Sequence, residues 1–145
     1  MRYIFESEHL LKRELVSILS SSKVTKEKSS DFDPLPAFNA RKIDLQSAAV
    51  LIPIIFDNFG PSIVFTKRAK KLKDHPGQIS FPGGARNDNE SLSDASLRES
   101  QEEIGVAINS LKFLGKLTPL YTPVSGFLIH PFVWYSKERP DTLIN

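Results

Sequence analysis

Cysteine is absent from the 145 residues. That excludes disulfides, a thiolate nucleophile and a cysteine-based zinc site, and it fits a reducing compartment, with the cytoplasm as the expected location. Long apolar runs are missing too: the longest, AAVLIPIIF at 48–56, is too short to span a bilayer and contains Pro53. The opening MRYIFESEHLLKREL scatters charges among its apolar residues and does not read as a signal peptide. Charge of one sign is scarce as well, since 19 Lys and Arg stand against 17 Asp and Glu for a formal net charge of +2. The lysines fall in local runs, which weakens the case for a general nucleic-acid or membrane binder; the expected partner is a small molecule and the expected state a monomer or homodimer.

What is present is an ordinary globular composition, 40% hydrophobic and 25% charged, at a length that suits one domain with a single core. Ile4, Leu10, Leu11, Leu15, Ile18 and Leu19 follow a helical stripe, which predicts an N-terminal helix within residues 1–22. A Ser-, Lys-, Asp- and Pro-rich stretch at 23–42 reads as a linker or arm, so the core domain is expected over 43–145. SAAVLIPIIF reads as a buried central strand, turning at Asp57 to Pro61 into SIVFTKR. A basic loop, KRAKKLKDHPG, then leads to QISFPGG, a strand running into glycines. Ser91, with Asp94 three residues on, opens a helix that Gly105 closes. LKFLGKLTPLYTP and SGFLIHPFVWYS alternate as strands.

Within that helix, RESQEEIG at 98–105 places Glu99, Glu102 and Glu103 on neighbouring positions of one face, with Arg98 one turn before Glu102. Taken alone, such a cluster is an ordinary solvated helix face. Three anions against one arginine also make a site where a divalent cation would bind, because carboxylate oxygens are the hard ligands such ions take.

The wider spacing decides between these readings. From Gly84 through Glu90, Arg98, Glu99, Glu102, Glu103 and Gly105 to Val106 the chain reads G-x5-E-x7-R-E-S-x-E-E-x-G-V. This resembles the Nudix box, with Ser100 where the box prefers an apolar residue. Upstream, VFTKRAKKLKDHPGQISFPGG at 64–84 resembles the signature of the coenzyme A pyrophosphatase branch of the Nudix hydrolases. Thr66, Arg68, Ala69, Gly77, Phe81, Pro82, Gly83 and Gly84 match in register; Lys73 stands for an arginine, keeping the charge but losing the bidentate fork.

The resemblance implies an α/β fold, a Nudix-like α/β/α sandwich around a mixed sheet. It implies hydrolysis of the diphosphate of coenzyme A or its derivatives to 3′,5′-ADP and 4′-phosphopantetheine, with Mg²⁺ or Mn²⁺. Glu99, Glu102 and Glu103 are then metal ligands, joined by the main-chain carbonyl of Gly83. Glu90 and Arg98 orient the helix, and Glu102 or Glu103 is the candidate base. Lys67, Arg68, Lys73 and His75 are candidate substrate contacts, against the plainer reading of a soluble basic loop. Another nucleoside diphosphate derivative, such as ADP-ribose or NADH, and an inactive remnant both stay open. With forty residues after Gly105 and no helical stripe in KERPDTLIN, the family's final strand and helix are expected to be missing. The sheet's second face is then left to the N-terminal helix or to another chain, with apolar surface and an unpaired edge exposed where neither covers it.

Overall fold

The computed structural model describes residues 8–21, 46–70, 77–122 and 125–140. In chain order these form α1 (Glu8–Ser21), β1 (Gln46–Asp57), β2 (Gly60–Ile63), β3 (Thr66–Lys67), β4 (Ile79–Ser80), β5 (Gly83–Ala85), α2 (Leu92–Ile104), β6 (Lys112–Lys116), β7 (Leu120–Thr122) and β8 (Phe127–Ser136), with a 3-10 turn at Ile108–Ser110. The proposed arm at 23–42 lies outside the described residues.

β1 is the central strand foreseen from its apolar run. On one side it pairs with β8 in parallel, from Gln46↔Phe127 to Ile55↔Ser136. On the other it carries two antiparallel strands in tandem, β5 against Ala48–Val50 and β2 against Ile54–Asp57. β6 and β7 pair antiparallel with β8, so that the described residues form a mixed six-stranded sheet, while β3 and β4 form a separate two-stranded ribbon. The SIVFTKR segment, expected as one strand, divides into β2 and β3. Pro53 sits fully buried inside β1; it has no N–H to give, and its carbonyl accepts from Val64 N–H at 3.4 Å.

Strand alternation splits the core into two layers. Leu51 packs with Ile104, Val106 and Leu111 on the α2 side. Ile52 and Ile54 pack with Leu11, Val133 and Tyr135 on the α1 side, with Leu15 and Leu19 against them. The helix covering the second face is therefore α1, the N-terminal one. Its first turn is fastened by charge: Glu8 accepts from Lys12 at 2.6 Å and pairs with Lys137 at 2.7 Å, and Lys12 Nζ lies 3.8 Å from the centroid of the Tyr135 ring. Ile63 and Leu120 of the sheet, and Phe65 and Ile79 at the ribbon, remain exposed among the described residues. Among the described residues no helix is long and apolar enough to cross a membrane.

Candidate active site

α2 is positioned before any side chain of the site is considered. Ser91 Oγ accepts from Asp94 N–H at 3.1 Å and donates to Asp94 Oδ2 at 2.7 Å, the capping pair that starts the helix. Gly105, at φ 63°, ends it, its N–H reaching the Gln101 carbonyl. The face toward β1 is made of small residues, with Ala95, Ser96 and Ser100 completely buried. Ser100, the departure from the box, donates to the Ser96 carbonyl at 2.7 Å. Its hydroxyl is thereby satisfied without water, and its small volume lets the helix lie close on the sheet.

The opposite face carries the charged residues. Arg98 joins three parts of the fold: Nε and Nη2 donate to the two oxygens of Glu90 at 3.1 and 2.8 Å, Nη2 also reaches the Ala85 carbonyl at 3.2 Å, and Nη1 donates to Glu99 at 2.7 Å. Glu102 lies 3.5 Å from the same guanidinium. Glu90 additionally accepts from Asn87 N–H at 2.8 Å. The Arg98 guanidinium, helped by that N–H, holds the Glu90 carboxyl down to about 2. Glu90 and Arg98 thus tie α2 to β5 and to the loop between them.

β5 supplies backbone to the same place. Gly83 N–H donates to Glu103 Oε2 at 3.2 Å, and Ala85 gives its carbonyl to Arg98. Residues 83 and 85 therefore direct their main-chain polar groups to the edge of β5 away from β1. Gly84 is where the helix comes closest: a Cβ there would lie 2.5 Å from the carboxyl carbon of Glu99. The absence of a Cβ there leaves room for that carboxylate in its present seat, a contact that spacing alone did not reveal.

Electrostatically the site is over-supplied with anions. Glu103 is exposed as a side chain, yet the atoms packed about its carboxyl push its pKa upward, and the charges of Glu99 and Glu102 add to the rise. The Gly83 N–H and Arg68 act the other way. Among the described residues no three His, Asp or Glu side chains are gathered to hold a metal ion; Glu99 faces Arg98 and Gly84, while Glu103 faces Gly83. The convergence expected of Glu99, Glu102 and Glu103 is thus partial. The donor set still fits a hard divalent cation, because crowded carboxylates beside outward-facing main-chain groups offer oxygen ligands and an unrelieved negative charge. Arg68 is near enough for its charge to reach Glu103, and Lys67 precedes it on β3. Lys73 and His75, the other expected substrate contacts, lie outside the described residues.

The NUDIX domain family profile matches residues 45–143. The chain is 38% identical over 99 residues to a protein of Citrobacter koseri named uncharacterized Nudix hydrolase NudL, covering 68% of this chain and 50% of that protein. It is 45% identical over 87 residues to the protein of the same name from Yersinia pestis, covering 59% and 43%. The chain therefore spans about half the length of the curated relatives it matches. Among solved structures, the Nudix hydrolase RenU of M. smegmatis superposes with a TM-score of 0.55 at 19% identity, over 68% of this chain and 65% of that one. A C. elegans Ap4A hydrolase binary complex gives 0.56 at 15% identity, over 68% and 71%. At those identities the likeness carries the fold. Nudix hydrolases generally use divalent cations such as Mg²⁺ or Mn²⁺. With a capped helix bearing the box, a mixed sheet between two helices and a family match over more than half of its length, this chain belongs to the Nudix hydrolase family.

Proposed function

We propose that the chain hydrolyses the diphosphate of coenzyme A or its derivatives, releasing 3′,5′-ADP and 4′-phosphopantetheine or its acyl form, with Mg²⁺ or Mn²⁺. The observation that carries this reading is the meeting of α2 and β5, where Glu99 and Glu103 lie against the glycines that end the upstream signature and Arg98 locks both elements together. Glu99, Glu102, Glu103 and the Gly83 carbonyl are assigned as ligands; that carbonyl shares the strand edge to which the Gly83 N–H points. When bound, a divalent cation neutralises diphosphate oxygens and makes a water more acidic. Glu103 is the better-supported base, with Glu102 as the alternative: the Gly83 N–H holds its carboxylate where α2 meets β5. Arg68 is assigned to the diphosphate oxygens on the side facing α2, with Lys67, Lys73 and His75 as further substrate contacts.

Incubating the chain with coenzyme A and each cation, and resolving products by chromatography, tests the reading. Release of 3′,5′-ADP is expected, with Glu102→Gln or Glu103→Gln lowering turnover by about a hundredfold or more while the fold survives. Unchanged turnover in both variants defeats it. A panel containing ADP-ribose and NADH separates coenzyme A from other nucleoside diphosphates.

A further inference from the structure

The β3–β4 ribbon has two unlike faces. Its register pairs Thr66 with Ser80 and Lys67 with Ile79, so alternation puts Phe65, Lys67, Ile79 and Phe81 on one face and Thr66 and Ser80 on the other. The side chains bear this out. Thr66 Oγ1 lies 3.0 Å from Ser80 Oγ, and the Phe65 and Phe81 rings stack with centroids 4.7 Å apart and planes 27° from parallel. Arg68, the next residue, carries its charge toward Glu103. Phe81 is anchored against the core cluster beneath α1, whereas Phe65 is 52% and Ile79 65% exposed, and Lys67 is exposed beside them. The Thr66 and Ser80 face is closed on itself by the hydroxyl contact. The other displays a fixed aromatic ring, an aliphatic neighbour and a cation.

We propose that this outward face is a nucleoside subsite, in which a purine ring stacks on Phe65 beside Ile79 and Lys67 holds a phosphate carried on the sugar next to the base. The inference rests on the diphosphatase reading above and sharpens its substrate. A ring backed by a second ring that is itself held in the core is already in place before binding, so little entropy is lost when a base stacks on it. The ammonium group of Lys67, on a flexible stem, suits an exposed phosphate as a point charge. Positions 67 and 79 are free in the upstream signature, which takes leucine at 65, so the signature's own residues do not account for this face. Phe65, Lys67 and Ile79 select for a nucleotide with a phosphate beside its base, as in coenzyme A, over ADP-ribose and NADH, which lack one.

The test is binding of 3′,5′-ADP and of 5′-AMP to the full chain without added metal, followed by NMR titration. Wild type is expected to bind 3′,5′-ADP about fivefold more tightly than AMP. Lys67→Gln is expected to erase the difference and Lys67→Arg to keep it. Phe65→Ala should weaken both ligands by about tenfold while the circular dichroism spectrum stays that of wild type. Equal affinity for the two ligands, no binding of either, or a ratio indifferent to Lys67→Gln overturns the subsite. A chain that keeps the ratio but cleaves no coenzyme A loses the assigned reaction and keeps the subsite. A chain that cleaves coenzyme A with the same KM in wild type and Lys67→Gln keeps the reaction and loses the subsite.

Discussion

The two helices lie on opposite faces of one sheet and are held there by different means. α2 approaches β1 through Ala95, Ser96 and Ser100, is capped at both ends and is tied to β5 by Arg98. α1 places Leu11, Leu15 and Leu19 on the second face and adds the Glu8 ion pairs at its start. Each also meets a glycine. At Gly84 a Cβ would press on the carboxylate tip of Glu99; at Gly115 it would lie 2.7 Å from Cβ of Leu19. The tip of a flexible side chain yields cheaply, but a Cβ fixed to a helix backbone does not. The same missing atom therefore leaves room for a carboxylate on one face and for helix packing on the other.

Gly84→Ala breaks this comparison most sharply. Displacing the Glu99 carboxylate by about an ångström is expected to lower kcat by about a hundredfold, with little change in the urea midpoint; assay and denaturation on the same preparation check both. Next comes Leu11→Ala, which removes the most buried contact of α1 and should cost about 2–4 kcal/mol of unfolding free energy, leaving turnover intact well below the transition. Gly115→Ala should push α1 outward at a cost of about 1–3 kcal/mol, again without loss of turnover. A Gly115→Ala enzyme as crippled as the Gly84→Ala enzyme ends the division of labour between the faces.

The smallest effect is in acid. Lys12 first, then Lys137, lower the Glu8 carboxyl from 4.5 to about 2, and Arg98 does the same for Glu90. A carboxyl depressed by folding contributes stability that is present above its unfolded pKa and lost as pH falls through the folded value. Both contributions are therefore full above about pH 4.5 and disappear toward pH 2. Glu8→Gln and Glu90→Gln should each flatten the acid side of a stability profile, and only Glu90→Gln should also reduce turnover.

α2 was legible in the sequence almost to the residue, because caps, small face and glutamates are written in one contiguous stretch. β1 was legible from its apolar run. The acceptor of Arg98 on Ala85 and the seat of Glu99 against Gly84 were not, since they depend on how a strand and a helix meet, and spacing does not encode that meeting. The cover of the second face had only a stripe of leucines to announce it, with no sign of the surface they seek. The Phe65–Phe81 stack did leave a signal: alternation on both arms of a ribbon whose register only the pairing of Lys67 with Ile79 fixes. Lys73 and His75, outside the described residues, stay as proposed contacts.

The parallel pairing of β1 with β8 has a temporal consequence. Among the described residues the two strands are the first and last of the sheet in chain order, and the α1 cover packs on residues of both, Ile52 and Ile54 of β1 and Val133 and Tyr135 of β8. Closing so long a loop is entropically costly before any contact rewards it, which favours slow folding. On the ribosome, β1 can pair with β2 and β5 as they emerge, but its other edge stays unpaired until β8 has emerged.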